Sequence, residues 1–336
     1  MIGKNILALC GSLVCALAAP AASAQDAATY TMKLGSLTVN DEAHEWLKMF
    51  VAGVESGSKG RIKGQIFPSG QLGSAAREIE GTQFGSIQAI VMPPDFFAGI
   101  DERFEVASAP GTFTSVEEAT RVANDPEFHK AFLALGADKG LVGLALYVNT
   151  PVSILMRDPV HHLAEFKGKK IRILASDFQK QQILRLDATP VAMSLTDVMP
   201  ALQQGAIDGA LASVAAFTPM HYYDAAKYMV QTGQYYVFIE TMMSKKWYDA
   251  LPPDLQKIIR ASADDASARI LPWQIEAMKD EAKVWTDHGG ELIDLPPDEE
   301  AELMRRMSTI ADDVGKSRPA ILDMYNLLKA AVKRNG

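Results

Sequence analysis

A single arginine stands in an otherwise apolar, strand-like segment of this sequence. The stretch "KGKKIRILAS" covers residues 167–176, and its β-branched and apolar residues predict a strand. Successive side chains of a strand point to opposite faces, so Ile171 and Ile173 share one face while Arg172 points to the other. Arginine keeps its charge, and a buried charge requires a partner. We therefore expect Arg172 to face an anion, either an acidic side chain of this protein such as Asp208 or a ligand from solution.

The other residues that could perform chemistry form no familiar catalytic or metal-binding pattern. The sequence contains no G-x-S-x-G elbow, no H-E-x-x-H zinc motif and no P-loop. Of the six histidines only His161 and His162 are adjacent, and adjacent side chains on a strand point apart, which suits a shared metal poorly. These observations favour a binding protein without a metal or a cofactor. A secreted enzyme with an unfamiliar active site is the alternative.

The N-terminus has the pattern of a secretory signal peptide. Residues 1–24 combine a lysine near the start, an apolar run over residues 6–19 and an A-x-A cleavage site at residues 22–24. We expect cleavage before Gln25, because the apolar run is too short for a membrane span; an uncleaved anchor is the alternative. No later segment approaches the 18 apolar residues of a transmembrane helix, so the mature chain is not expected to span a membrane.

The rest of the chain has the composition of an ordinary globular protein. The sequence has 336 residues, of which 48% are apolar and 22% charged, and this length suffices for two domains. Both cysteines lie in the predicted leader, so we expect a core without disulfides. The leader holds one lysine and no acid, so its removal changes the formal net charge from −8 to −9. Such an acidic surface argues against nucleic acid or anionic lipid as a partner.

Strand-like and helix-like segments alternate along the chain, which predicts an α/β fold with parallel sheet. The predicted strands cover residues 29–37, 61–68, 87–93, 140–148, 152–156, 170–174, 206–212 and 227–243. The predicted helices cover residues 41–56, 74–84, 115–136, 176–187, 194–205, 254–285 and 297–332. The apolar run at 140–148 indicates a strand in the middle of a parallel sheet. The segment 227–243 is long enough to cross from one body to another, and Pro272 predicts a kink in a long helix.

Four segments, in order, resemble a known protein family. They are "FPSGQLG" (67–73), "EFKGKKIRI" (165–173), "ATPVAMSLTDVMPALQQGAIDGA" (188–210) and "KKWYDALPPDLQKII" (245–259). Together with the predicted leader, they resemble the DctP-like extracytoplasmic solute-binding proteins of tripartite ATP-independent periplasmic (TRAP) transporters. The resemblance runs over nearly all of residues 29–330 and is most specific over residues 167–209.

The resemblance implies a fold, a location and a set of partners. The fold is an α/β, two-lobed periplasmic binding protein (type II-like) with a ligand cleft between the lobes, crossing strands and a long helix that spans both lobes. We expect lobe 1 to comprise residues 28–149 and 238–277, and lobe 2 to comprise residues 150–237 and 278–330. The family implies a periplasmic location after export, a small organic acid as ligand, and the small and large TRAP membrane subunits as partners. A binding protein that serves a receptor is the alternative.

The resemblance also implies a role for Arg172, because the arginine that pairs with the ligand carboxylate lies on the family's strand that matches "KIRI". Sialic-acid binders of this family carry further polar groups that this chain lacks. At or near the corresponding positions stand Val152, Ala212 and the segment "MPPDFF" at residues 92–97. These departures imply that the polar contacts for a hydroxyl-rich sugar acid are replaced by apolar groups.

We therefore expect a largely apolar pocket around one arginine. The expected lining residues are Arg172, Met92, Phe96, Val152, Ala212 and Phe217, with Asn149, Ser213 and Thr38 as candidate polar contacts. Such a pocket suits a small monocarboxylate with an apolar or aromatic body, or an α-hydroxy or α-keto acid. A C4-dicarboxylate is the alternative ligand.

Overall fold

The structure, a computed structural model, describes residues 28–335, and the predicted signal peptide at residues 1–24 lies outside the described residues. In this part of the chain the strands are β1 (Tyr30–Ser36), β2 (Ile62–Phe67), β3 (Ala89–Met92), β4 (Leu141–Pro151), β5 (Ser153–Met156), β6 (Lys170–Ile173), β7 (Thr189–Ala192), β8 (Gly209–Ala212), β9 (Tyr228–Val230), β10 (Tyr236–Ser244) and β11 (Glu291–Ile293). The α-helices are α1 (Glu42–Gly57), α2 (Ala75–Phe84), α3 (Val116–Ala123), α4 (Pro126–Leu133), α5 (Asp177–Leu184), α6 (Leu195–Gln203), α7 (Val214–Phe217), α8 (Lys245–Asp249), α9 (Pro253–Asp287), α10 (Pro297–Met307), α11 (Ile310–Gly315) and α12 (Pro319–Asn335). The predicted α/β class is confirmed.

The strands form two mixed sheets. Sheet A has the order β2-β1-β3-β10-β4, and sheet B has the order β11-β9-β5-β8-β6-β7. In sheet A, β1 runs parallel to β2 and β3, while β10 is antiparallel to β3 and β4. In sheet B, β6 is parallel to β7 and β8, while β5 is antiparallel to β8 and β9. Each sheet is therefore parallel only in part, and the predicted parallel sheet describes the portion built from strand–helix–strand units.

The chain passes between the sheets through two strand connections and one long helix. β4 ends at Pro151 in sheet A and β5 begins at Ser153 in sheet B, while β9 in sheet B is followed by β10 in sheet A. Helix α9 packs against α1 and β4 on one side and against α7 and β11 on the other. These features confirm the predicted crossing strands and spanning helix. Within residues 28–335 no helix is both long and apolar enough to cross a lipid bilayer.

Two details of the predicted architecture are untested. Helix α9 continues as one α-helix through Pro272, so the proline does not end it, and a kink or a flexing role there stays a prediction. The residue bounds of the two lobes also stay a prediction. Helix α12 packs against α3 and α4 as well as α11, so the C-terminal helix contacts elements from both halves of that division.

The apolar segment at residues 140–148 is an edge strand, and its predicted central position is wrong. Among the described strands β4 pairs with β10 alone, and the pairing is antiparallel. The strand is nevertheless buried, because α3, α4 and α9 pack against it. A continuous apolar run reports that both faces of a strand are covered, and helices can provide that cover at a sheet edge.

Two predicted helices are divided in the structure. The segment 115–136 forms α3 and α4, which separate at Asp125; its carboxylate accepts hydrogen bonds from the N–H groups of Glu127 and Phe128, and Pro126 begins α4. The segment 297–332 forms α10, α11 and α12, and a proline begins the last of them. Apolar periodicity continues across these boundaries, so it does not reveal the breaks.

Aromatic stacking joins the first helix to the end of the fourth strand. Trp46 of α1 stacks on Phe50, with ring centroids 4.9 Å apart, and on Tyr147 of β4, with centroids 6.0 Å apart. All three rings are buried, and the same apolar cluster includes residues of α9. This packing fixes the N-terminus of α1 next to the C-terminal part of β4.

Candidate ligand-binding site

A cavity lies between the two sheets, where the C-terminal ends of β1, β3, β6 and β8 meet. Its empty volume is about 590 Å³, part of it open to solvent, and its wall contains residues that follow each of these strands. The C-terminal ends of parallel strands bring their connecting loops to one edge of a sheet, which is where open α/β sheets bind ligands. The fold therefore places this cavity at the position expected of a ligand site.

Arg172 lies in the wall of this cavity and its side chain is almost fully buried, with 1% exposed. It stands on β6, between β7 and β8. Its Nε donates a hydrogen bond to the carbonyl of Met193 at 3.0 Å, and Nη1 donates to the carbonyl of Leu211 at 3.4 Å. Its Nη2 is buried and has no partner among the described residues. Two hydrogen bonds thus hold the guanidinium in place, while Nη2 has no hydrogen-bond partner in the described part of the chain.

Asp208, the internal acid that could have paired with Arg172, forms a hydrogen bond with a different group. Asp208 accepts a hydrogen bond from the backbone N–H of Lys170 at 2.7 Å, and the protein partners of Arg172 are backbone carbonyls. Burial lowers the pKa of Arg172 to about 10, so the group remains charged at neutral pH. A buried charge without a counter-ion is unfavourable, and an anion that reached Nη2 would relieve this.

Tyr235 is a second donor in the cavity wall, and the sequence prediction missed it. Its hydroxyl accepts a hydrogen bond from Nε2 of Gln179 at 3.0 Å, and Oε1 of Gln179 accepts one from the N–H of Leu174 at 2.9 Å. This leaves the hydroxyl proton of Tyr235 available to a ligand. Burial raises the pKa of Tyr235 well above its ordinary value, so the hydroxyl is a neutral donor. No local motif marked this tyrosine within the crossing segment 227–243.

Two acidic side chains at the start of α1, Asp41 and Glu42, also line the cavity and were not predicted. Asp41 caps the helix, because its Oδ1 accepts a hydrogen bond from the N–H of His44 at 3.1 Å. Oε1 of Glu42 accepts a hydrogen bond from Nδ2 of Asn149, whereas Oε2 is buried without a partner among the described residues. Burial raises the pKa of both carboxyls, and Asp41 raises that of Glu42 further. Acidic residues are common at helix N-termini, so their types gave no signal of a site.

Most of the predicted site residues meet in this cavity. The residues that line it are Arg172, Thr38, Met92, Phe96, Asn149, Ala212 and Ser213. Three of their polar groups already have internal partners. Oγ of Ser213 accepts a hydrogen bond from the N–H of Ala216 at 3.2 Å, Oγ1 of Thr38 lies 3.2 Å from Oγ of Ser36, and Asn149 contacts Glu42. Their roles toward a ligand stay a prediction.

The structure places the other two predicted residues outside the cavity. Val152 lies in the connection between β4 and β5 and lines a neighbouring cavity together with Gln231. Phe217 is fully buried and packs on Tyr222, with ring centroids 4.9 Å apart. The expectation that Val152 and Phe217 line the same cavity as Arg172 is therefore corrected. Residue type does not reveal which way a side chain points in a loop or a one-turn helix.

The histidines do not gather into a metal-binding group. His162 is exposed, and its Nδ1 lies 3.0 Å from Oε1 of Glu299. Across residues 28–335 no three side chains of histidine, cysteine, aspartate or glutamate come together in a way that could hold a metal ion. What the cavity does present is one charged donor, one neutral donor and two carboxyl groups on a largely apolar wall, an arrangement suited to binding a small polar molecule.

Comparison with known proteins reveals relatives over most of the chain. The family model described as "Bacterial extracellular solute-binding protein, family 7" (DctP) matches residues 35–317. The protein YiiZ of Salmonella typhimurium is 29% identical over 283 residues, which cover 83% of this chain and 84% of the relative. The C4-dicarboxylate-binding periplasmic protein DctP of Rhodobacter capsulatus is 26% identical over 63% of this chain and 65% of its own.

A solved structure shares the fold over nearly the full length. The sugar acid binding protein DctPAm from Advenella mimigardefordensis, in complex with galactonate, matches with a TM-score of 0.87 at 21% identity, covering 93% of this chain and 100% of that chain. This likeness supports the two-lobed fold, and the family match confirms the resemblance drawn from the sequence segments. The chain belongs to the bacterial extracellular solute-binding proteins of family 7, the DctP-like substrate-binding proteins of TRAP transporters.

Proposed function

We propose that the chain is the periplasmic solute-binding subunit of a TRAP transporter, and that it captures a small organic acid by pairing the ligand carboxylate with Arg172. The observation that carries this proposal is the buried guanidinium, whose Nη2 lacks an internal partner at the cavity wall. A guanidinium can donate two parallel hydrogen bonds to a carboxylate, and such bonds strengthen where water is excluded. The neutral hydroxyl of Tyr235 offers a further donor to the same ligand.

The wall of the cavity favours a monocarboxylate with an apolar or aromatic body, or an α-hydroxy or α-keto acid. Met92, Phe96, Ala212, Leu195 and Val237 supply apolar surface around the arginine. The galactonate-binding neighbour supports the organic-acid class. A C4-dicarboxylate is the second candidate, because the relative from Rhodobacter capsulatus is named for that ligand.

Binding would join the two sheets through the ligand. Arg172 reaches the cavity from sheet B, while Met92 reaches it from β3 of sheet A and Phe96 from the turn after β3. A bound acid would therefore contact both sides and shift an open–closed equilibrium toward the closed form. The predicted signal peptide at residues 1–24 would direct export to the periplasm. The closed complex would then deliver its ligand to the small and large membrane subunits, without a cofactor or catalysis by this chain.

The test is a thermal-shift and calorimetric screen of the mature protein against organic acids. The panel contains aromatic monocarboxylates, short hydroxy and keto acids, C4-dicarboxylates and sialic acid. A ligand that binds only the folded state raises the melting temperature. We expect one acid class to do so, and we expect Arg172→Met to weaken its binding by roughly a hundredfold or more, because a charge-assisted pair is lost in a buried site.

The same variant separates binding from folding. Without ligand, Arg172→Met should still fold, because the gain from removing a buried charge without a counter-ion offsets the loss of its hydrogen bonds to the carbonyls of Met193 and Leu211. Arg157→Met, at an exposed arginine outside the cavity, is the matched control and should bind the acid normally. A ligand-induced shift that survives Arg172→Met would place the carboxylate elsewhere and contradict the proposal.

A further inference from the structure

The cavity holds a second unpartnered polar group besides Arg172. The side chain of Glu42 is 1% exposed, and its Oε2 is buried without a partner among the described residues. Its other oxygen, Oε1, accepts a hydrogen bond from Nδ2 of Asn149. Asn149 is oriented in turn, because its Oδ1 accepts hydrogen bonds from the N–H and, at 2.7 Å, the hydroxyl of Thr150. One carboxyl oxygen is therefore fixed, while the other is buried without a described partner in a residue that lines the cavity.

The protein groups that surround Glu42 do not supply the missing partner. Asp41 caps the N-terminus of α1, and Glu281 of α9 and Tyr147 of β4 lie near enough to interact electrostatically; none of the three forms a hydrogen bond with Oε2. Burial raises the pKa of Glu42 well above its ordinary value, Asp41 adds to this, and Glu281 acts in the same direction. The phenolic oxygen of Tyr147 is also buried without a partner. A buried carboxyl next to other acidic groups lowers the stability of the folded protein unless a further group forms a hydrogen bond with it.

The positions of Glu42 and Arg172 indicate which chemical group could bind Oε2 of Glu42. Glu42 enters the cavity from α1, beside sheet A, and Arg172 enters it from β6 of sheet B. A ligand whose carboxylate pairs with Arg172 therefore extends toward an acidic wall. A second carboxylate on that ligand would meet Asp41 and Glu42 there, and it could bind Glu42 only in the protonated form of that residue. A hydroxyl or ammonium group would give Oε2 of Glu42 the hydrogen bond that it lacks.

We propose that Glu42, held by Asn149, is a second polar anchor of the site and binds a hydrogen-bond donor, a hydroxyl or an ammonium group, at the end of the ligand remote from its carboxylate. This inference rests on the proposed function, since it takes Arg172 as the carboxylate anchor. It narrows the substrate class to hydroxy- or amino-monocarboxylates and disfavours dicarboxylates.

The experiment varies only the remote group of the ligand, using calorimetric titration of the mature protein. One series is butyrate, 4-hydroxybutyrate, 4-aminobutyrate and succinate. The other is 4-methylbenzoate, 4-(hydroxymethyl)benzoate, 4-(aminomethyl)benzoate and terephthalate. In at least one series we expect the hydroxyl or the amino member to bind roughly tenfold tighter than both the methyl and the carboxylate member. Which of the two donors binds better distinguishes a hydroxy acid from an amino acid.

Glu42→Gln tests the anchor itself with little change of shape. We expect the affinity of the preferred donor ligand to fall by roughly tenfold or more, while that of the methyl member stays unchanged, because only the donor bonds to the carboxylate. Glu45→Gln is the matched control, since Glu45 lies on the same helix but pairs with the exposed Lys48 at 3.0 Å. That variant should bind both ligands as the wild type does.

Two sets of outcomes separate this inference from the proposed function. Tightest binding by a methyl or a carboxylate member, or an equal loss for all members in Glu42→Gln, overturns the second anchor. If Arg172→Met still abolishes binding in that case, the carboxylate anchor stands alone. Absence of binding throughout both series, when another acid of the wider panel does bind, overturns the inference alone. Absence of binding by every acid of the panel, or binding that survives Arg172→Met, overturns the proposed function and the inference with it.

Discussion

At the scale of single residues, the site keeps polar groups that folding alone would not favour. Arg172 and Glu42 are each buried with one atom unpartnered among the described residues, and Tyr235 keeps a hydroxyl proton to spare. Each such group lowers the stability of the folded state, yet all three residues line the same cavity. Buried polar groups that lack partners and line a common cavity are candidates for ligand contacts.

Replacing Tyr235 tests whether its hydroxyl contacts the ligand. Tyr235→Phe removes the donor while keeping the ring, and it leaves Nε2 of Gln179 without its acceptor. We expect the affinity for the cognate acid to fall by roughly fivefold to a hundredfold, equivalent to about 1–3 kcal/mol for one buried hydrogen bond. Titration calorimetry measures the change.

The neighbouring tyrosine provides the control for that prediction. Tyr236 is half-buried against Phe113 and lies outside the cavity wall, so Tyr236→Phe should leave the affinity unchanged. Equal affinities of the wild type and Tyr235→Phe would show that the hydroxyl does not contact the ligand and that Tyr235 serves only as a partner of Gln179.

At the scale of elements, the close packing of β8 against β5 determines where Arg172 stands. Ala210 of β8 pairs with Arg172 of β6, and the preceding residue, Gly209, pairs with Met156 of β5. A Cβ atom added at Gly209 would collide with the carbonyl oxygen of Leu155 and with Sδ of Met156. The glycine of the "DGA" segment is thus required by close approach of two strands.

The variant Gly209→Ala should therefore destabilise the protein. We expect a loss of about 1–3 kcal/mol of unfolding free energy, from overpacking against backbone. Chemical denaturation measures this loss. Gly99→Ala is the matched control, because nothing lies within 4 Å of a Cβ added there, and it should leave the stability nearly unchanged. Equal stability of the two variants would show that β5 and β8 can separate without penalty.

At the scale of the whole molecule, several buried carboxyls make stability depend on pH. Burial raises the pKa of Glu78 to about 8, and that of Asp95 and of Glu281 to about 7. In the unfolded chain these groups titrate near their ordinary values of about 4. Between the two values the folded state binds protons that the unfolded state has released. The free energy of unfolding should therefore fall as the pH rises from about 4.5 to about 8, by at most ~1.4 kcal/mol per pH unit for each group.

Glu78 offers a direct test of this dependence. Its side chain is fully buried and both of its oxygens lack partners among the described residues. Glu78→Gln should flatten the fall of the melting temperature between pH 5 and pH 8, because the substituted group does not titrate. Glu80→Gln, at an exposed position of the same helix, should leave the slope as in the wild type. Identical slopes in all three proteins would mean that Glu78 is not the titrating group.

Much of this protein follows from its sequence alone. Apolar periodicity located most helices and strands, and it set Arg172 on a strand face opposite Ile171 and Ile173, because alternation along a strand is a local property. Four sequence segments, in the same order as in the family, identified the family. The apolar residues at positions where sialic-acid binders carry polar groups predicted an apolar pocket, and Met92, Phe96 and Ala212 do line the cavity.

The tertiary structure decided what faces that arginine. Periodicity reports that a side chain is covered but not by which partner, since the partner comes from distant parts of the chain. Only the folded chain shows Asp208 turned away, Tyr235 and Glu42 brought to the wall, and Val152 and Phe217 turned elsewhere. The edge position of β4 has the same origin, because helices from three other segments cover it.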